Sequence, residues 1–227
     1  DDRIRGGGGN DWLNGGAGGD RYEVSGAGPD WIDGQPYLFE GYDSYADTGA
    51  DGNDHLVAVG HGPVDVGLLN FGPASGIEAI VNATSIDDGA GGAMAAEVRL
   101  LGNWEANTFD FSATELRGGS IRMELKDGND RFLGSTAADQ VDGGYGNDSL
   151  QAGAGDDILI GAGGDDSLDG GQGSDTYRVS GLVAGGWKSF GGYDTYTDSG
   201  LSGIDRIVAV GIDDVDIGLA AGNFLAS

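Results

Sequence analysis

A chain of 227 residues with 38 Asp and Glu against 11 Lys and Arg has a formal charge of −27, and 48 of its residues are glycine. Such acidity excludes a nucleic-acid partner, because phosphate contacts need Lys and Arg. The lack of cysteine excludes a disulfide framework, and no apolar run reaches the roughly 18 residues of a transmembrane helix. The acids are 31 Asp and only 7 Glu. Asp is the shorter acid and suits tight turns, where it bonds nearby backbone or reaches a metal. Charge of one sign at this density expands a chain, and with few large apolar residues it favours disorder. Folding therefore calls for neutralisation by polyvalent cations.

Residues 1–33 open on a nine-residue beat. Asp2, Asp11 and Asp20 are followed two residues later by Ile4, Leu13 and Tyr22, and Asp30 with Ile32 continues the series after a slip of one residue. The units read GGGGNDWLN over 6–14 and GGAGGDRYE over 15–23. Residues 34–76 form a linking module. Residues 77–124 carry IEAIV (77–81), VRLLG (98–102), TFDFS (108–112) and SIRMEL (120–125). These strings predict irregular coils of short strands, being β-branched or aromatic and bounded by Gly, Asn, Ser or Asp.

Residues 125–178 restore the beat. Asp130, Asp139, Asp148, Asp157, Asp166 and Asp175 stand nine apart, with Phe132, Val141, Leu150, Leu159, Leu168 and Tyr177 two residues after each. GGYGNDSLQ (143–151) and GGQGSDTYR (170–178) are full units, and AGAGDDILI (152–160) and GAGGDDSLD (161–169) are close variants. GSTAADQVD (134–142) lacks the central glycine, which weakens the case for Asp139; LKDGNDRFL (125–133) keeps only the Gly-x-Asp half. Residues 179–227 hold a second, shortened copy of the linking module. DRYEVSG (20–26) returns as DTYRVSG (175–181), GYDSYADTG (41–49) as GYDTYTDSG (192–200), and DHLVAVG (54–60) as DRIVAVG (205–211).

The nine-residue unit resembles the RTX (repeats-in-toxin) nonapeptide G-G-x-G-x-D-x-U-x, where U is large and apolar. The resemblance implies an all-β fold, a right-handed parallel β-helix or β-roll solenoid with calcium-binding turns. In it the glycine half of each unit is a turn and the other half a short strand with U inward. Two units make one coil, so carboxylates that share an ion stand eighteen apart: Asp139/Asp157, Asp148/Asp166, Asp157/Asp175 and Asp2/Asp20, with Asp11 left without such a partner. One turn cannot supply the six to eight oxygens that calcium takes, so neighbouring turns must share it. The candidate metal ligands are Asp2, Asp11, Asp20, Asp30, Asp130, Asp139, Asp148, Asp157, Asp166 and Asp175, with the turn residues Gly7, Gly9, Gly16, Gly18, Gly144, Gly146, Gly153, Gly155, Gly164, Gly171 and Gly173. Asp43, Asp54, Asp194 and Asp205 also follow Gly-x, at intervals of eleven, and are left open between turn former and metal ligand. Bound calcium is expected to lower the carboxylate pKa values.

The resemblance further implies a secreted, extracellular or cell-surface protein exported by type I secretion machinery, disordered where calcium is scarce and folding where it is plentiful. The chain opens inside a repeat, so further repeats are expected at both ends. A rival role is an adhesin or polysaccharide-binding module. For Trp12, Trp31, Trp104 and Trp187, partial burial on a thin solenoid is preferred over sugar stacking. His55 and His61 read as strand or surface residues. An enzyme is not expected: Lys126 and Lys188 are the only lysines and no Ser/His/Asp or Cys/His set is present.

Overall fold

The computed structural model describes residues 1–25, 41–47, 52–61, 63–87, 93–94, 96–180, 182–184, 187–189, 192–200 and 202–210. Asp30 and Trp31 lie outside the described residues. Those described are short strands and turns, with one 3-10 turn at Pro73–Ser75 and no α-helix among them. None of them belongs to a helix long and apolar enough to cross a membrane. The chain divides into two compact units, Asp1–Gly102 with Ala113–Met123, and Asn103–Ser112 with Glu124–Ser227.

The second unit holds the longer run of nonapeptides and shows the logic most simply. Each unit contributes one strand, and successive strands go to alternate sides. Thr108–Asp110, Arg131–Leu133, Ser149–Gln151, Ser167–Asp169 and Thr195–Thr197 pair in parallel as one sheet. Gln140–Tyr145, Ile158–Gly163, Thr176–Ser180 and Arg206–Val210 form another. The register stacks like on like: Phe109, Phe132, Leu150, Leu168 and Tyr196 in one column, Val141, Leu159, Tyr177 and Ile207 in the other. Every apolar residue that follows a repeat Asp by two in this block is buried. The core is therefore a file one side chain wide per strand. A single coil buries little, and neighbours must stack before any of it counts as a core.

The first unit follows the same parallel plan with less regular sequence. Arg3–Ile4, Arg21–Ser25, His55–His61, Ala79–Asp87 and Glu115–Arg117 lie side by side, with Ile4, Tyr22, Leu56, Ile80 and Leu116 in one register column. Trp12–Asn14, Tyr42–Ala46, Val64–Leu68 and Val98–Leu101 make the second sheet. The strings picked out over 77–124 become the strands Ala79–Asp87, Val98–Leu101, Thr108–Asp110 and Ile121–Glu124.

The turns explain two oddities of the sequence. In the turns ending at Asp130, Asp148 and Asp166, the second position holds Lys126, Gly144 and Ala162, with φ of 79°, 94° and 70°. All three are left-handed, so the geometry is kept where the glycine is lost. A side chain there costs about 1–2 kcal/mol, partly offset by the entropy a glycine would lose. Ala162→Gly is expected to stabilise the folded chain by about 0.5–1 kcal/mol, read as a rise of a few degrees in the thermal midpoint at fixed calcium.

Candidate metal centres

The repeat aspartates form ladders. In each, the Oδ1 of one Asp accepts the backbone N–H of the Asp one coil earlier. Asp130 donates to Asp148 at 2.8 Å, Asp139 to Asp157 at 2.7 Å, Asp148 to Asp166 at 2.9 Å and Asp157 to Asp175 at 3.0 Å. Asp2 donates to Asp20 at 2.6 Å. All four pairs read from the eighteen-residue spacing are joined by this bond.

The ladders also run past the nonapeptides. Asp11 donates to Asp43 Oδ1 at 3.0 Å, Asp20 to Asp54 at 2.5 Å, Asp166 to Asp194 at 3.2 Å and Asp175 to Asp205 at 2.8 Å. Asp11 thus has a partner that the eighteen-residue rule missed, because its neighbour in space is 32 residues away. Asn107 donates to Asp130 at 2.7 Å, and Asp54 to Glu78 Oε2 at 2.6 Å. Neither Asn107 nor Glu78 has a repeat signature, so no spacing argument could find them.

A second, outer ladder runs in the opposite sense. The residue just before Asp148, Asp166 and Asp175 donates its N–H to the side-chain oxygen of its counterpart one coil earlier. Asn147 donates to Asn129 at 2.9 Å, Asp165 to Asn147 at 2.9 Å and Ser174 to Asp156 at 2.8 Å. This explains why that position, free in the repeat pattern, is mostly Asn, Asp or Ser here. Paired groups of this kind fix coil register, each bond contributing about 1 kcal/mol net.

The inner carboxylates are half satisfied. The Oδ2 atoms of Asp11, Asp20, Asp130, Asp148, Asp157, Asp166 and Asp175 are buried and have no hydrogen-bond partner. Each carboxylate is tucked under the first glycine of its own turn where one is present. A Cβ built at Gly6, Gly15, Gly143, Gly161 or Gly170 would collide with Oδ2 of Asp11, Asp20, Asp148, Asp166 or Asp175. The candidate turn glycines Gly7, Gly9, Gly16, Gly18, Gly144, Gly146, Gly153, Gly155, Gly164, Gly171 and Gly173 all have positive φ. Buried unpaired oxygens cost free energy unless something binds them. Hard oxygens in a glycine turn lined by carbonyls are what calcium takes, so the residues present fit that ion. Among the described residues no three acidic or imidazole side chains converge as a metal cluster. Backbone carbonyls would have to supply most of the ligands.

Asp139 is the exception. Its Oδ2 accepts the Ser135 N–H at 2.6 Å and its Oδ1 the Ser135 hydroxyl at 3.1 Å. The turn without a central glycine has closed on its own carboxylate.

Burial dominates the electrostatics. It pushes Asp130, Asp157 and Asp166 up to about 7, and the charges of neighbouring aspartates add to the rise. Burial likewise lifts Asp139 and Asp148 to about 6. The N–H bonds of the ladder pull the other way without prevailing. These carboxylates need a counter-charge to stay ionised at neutral pH in the fold.

The tryptophans depart from expectation. Trp12 and Trp104 are each 67% exposed, beyond the partial burial preferred from the sequence. Trp31 and the side chain of Trp187 lie outside the described residues.

Comparison with known families agrees with this geometry. The family model described as the RTX calcium-binding nonapeptide repeat matches in four copies, over residues 1–22, 126–150 and 142–177. No curated protein and no solved structure matched the chain. Residues 1–22 and 126–177 match the RTX calcium-binding nonapeptide repeat, and the described strands pair in parallel as in a β-roll.

Proposed function

We propose that the chain is a calcium-dependent structural and folding module of a secreted bacterial exoprotein, disordered without calcium and folding to its β-roll outside the cell. The row of buried, unpartnered Oδ2 atoms carries this reading. Asp20, Asp148, Asp157, Asp166 and Asp175, with their turn carbonyls, would hold the ions. Bound calcium supplies the positive charge that lets these carboxylates be buried ionised. Because the unfolded chain presents no such turns, binding free energy becomes folding free energy. Scarce calcium inside a cell would keep the −27 chain extended, which suits export through a type I channel. Extracellular calcium modules work at about 10⁻⁴–10⁻³ M, where folding would begin. Nothing in this reading requires catalysis.

The test is a far-UV circular dichroism titration with calcium from chelator-treated protein, with magnesium as the control. A disordered spectrum that becomes β with calcium alone is expected. A fully folded spectrum in chelator would refute the proposal.

Exposed aromatics favour a second reading, an adhesin or polysaccharide-binding module. Tyr145 and Tyr193 are exposed as well as Trp12 and Trp104. That role predicts glycan binding that is lost on Trp104→Ala while the calcium-induced spectrum is unchanged.

A further inference from the structure

The family match ends at residue 177 and omits 23–125, so the turns ending at Asp43, Asp54, Asp194 and Asp205 are unassigned. The structure divides these four into two kinds, one of each in either copy of the long repeat.

At Asp43 and Asp194 the inner carboxylate is closed. Tyr45 donates its hydroxyl to Asp43 Oδ2 at 3.4 Å, and Tyr196 donates to Asp194 Oδ2 at 2.9 Å. The tyrosines are held edge to face against Tyr22 and Tyr177, with ring centroids 5.7 and 5.4 Å apart. Tyr22 and Tyr177 themselves accept the N–H of Gly15 and Gly170 at 2.7 and 2.8 Å. The duplicated DxY sequences thus encode a tyrosine pair that seals one ladder position per copy.

At Asp54 and Asp205 the turn shares the fourth-position glycine of a nonapeptide and has no tyrosine two residues after the aspartate. Gly52 and Gly203 press so closely on the carbonyls of Gly18 and Gly173 that a Cβ would not fit, the stacking that Gly173 makes on Gly155 and that Gly41 and Gly192 make on Gly9 and Gly164 in the closed turns. The sequences GADGNDHLV (49–57) and GLSGIDRIV (200–208) have glycine at the first and fourth positions and an apolar residue at the eighth. Their Oδ1 atoms accept the backbone N–H groups of Asp20 and Asp175. Each also has a further acid near it, just past the strand before. Asp198 lies within hydrogen-bond reach of Asp205, and both charges act on Asp175, whose own Oδ2 is buried and unpartnered. In the first copy the charges of Asp47 and Asp20 act on Asp54, and Asp20 Oδ2 is again buried and unpartnered. Two carboxylates in contact need a shared proton or a cation between them.

We propose that the turns ending at Asp54 and Asp205 each complete a further calcium site, with Asp47 and Asp198 adding negative charge, and that the turns ending at Asp43 and Asp194 hold no ion. This rests on the calcium reading above. More ligand charge means tighter binding in sites of this kind. The coils where the linking modules rejoin the ladder therefore bind calcium ahead of the nonapeptide turns.

The experiment counts bound calcium on the whole chain by equilibrium dialysis. Asp205→Asn keeps an amide oxygen for the Asp175 N–H yet is expected to lose one ion, whereas Asp194→Asn loses none. Asp198→Asn is expected to keep the count and weaken the tightest class about tenfold. Terbium-soaked crystals of the unaltered chain give a readout that no folding defect can confuse: anomalous density at Asp54 and Asp205, and none at Asp43 and Asp194. Equal losses from Asp205→Asn and Asp194→Asn, or terbium at Asp194, would overturn the assignment while leaving the calcium module standing. A chain that binds no calcium would overturn both.

Discussion

Gly173→Ala is expected to cripple folding, while Gln172→Ala one residue away is expected to do almost nothing. Gly173 has φ of 132°, outside the range that L side chains adopt at low cost, and a Cβ there would run into the carbonyl of Gly155 one coil earlier. That carbonyl belongs to the neighbouring turn and cannot rotate away without breaking it, for Gly155 also donates its N–H to the Gln172 carbonyl at 2.8 Å. The clash therefore spreads along the stack, and a loss of about 3 kcal/mol or more is expected. Gln172 occupies the same turn, but its side chain is exposed and its backbone N–H bond to Gly153 survives the change. Its replacement should stay within about 0.5 kcal/mol. Urea unfolding of both variants at saturating calcium makes the comparison. Similar midpoints would mean that coil stacking does not depend on the close approach of glycine to carbonyl.

The same residues show how much of the molecule was legible in the sequence. The beat of Asp with an apolar residue two later placed the six inward residues from Phe132 to Tyr177, three in each column, without error, because a one-residue slip would turn every side chain outward. The eighteen-residue rule found Asp148 with Asp166 and Asp157 with Asp175. It failed at Asp11, whose partner Asp43 lies beyond a linking segment. Ladder bonding follows adjacency of coils in space, and longer connections enter at little added closure cost, so the interval along the chain stops being diagnostic. Asp54 and Asp205 carried a local signal in glycines two and five residues earlier, hidden only by the broken phase. The closed state of Asp43 and Asp194 was not legible at all. Tyr45 and Tyr22 both follow an Asp by two, yet one bonds its own aspartate and the other a glycine N–H. Which bond forms depends on the partner ring in the next strand, a tertiary fact.

In the metal-free chain, β structure is expected to rise as the pH falls from 8 toward 4. The raised carboxylates determine the sign. Asp130, Asp157 and Asp166 titrate at about 7 in the fold and Asp139 and Asp148 at about 6, against an ordinary value of 3.8. Between those limits the folded state holds more protons than the unfolded one, so stability falls as pH rises through the window and levels off above it. Below about 4 the gain is complete, and a loss begins. Despite its burial, Glu23 is held at about 2 by hydrogen bonds from Arg3, Arg21 and Arg5, so its contribution is present above its ordinary 4.5 and fades as acid protonates it. The metal-free optimum therefore lies near pH 4. Calcium removes this slope, since the disordered and the calcium-bound carboxylates are both ionised from about pH 5 to 8: the calcium concentration for half-folding should stay nearly flat across that window and increase only toward pH 4, where protons compete for the same oxygens. Circular dichroism across pH with chelator, and then with calcium, reads both arms. A chelated chain that stays disordered from pH 8 to 4 would show that something other than these buried charges keeps it open. If it folds on acidification alone, protons and calcium are doing the same job, neutralising one file of carboxylates, and only calcium does it at the pH outside a cell.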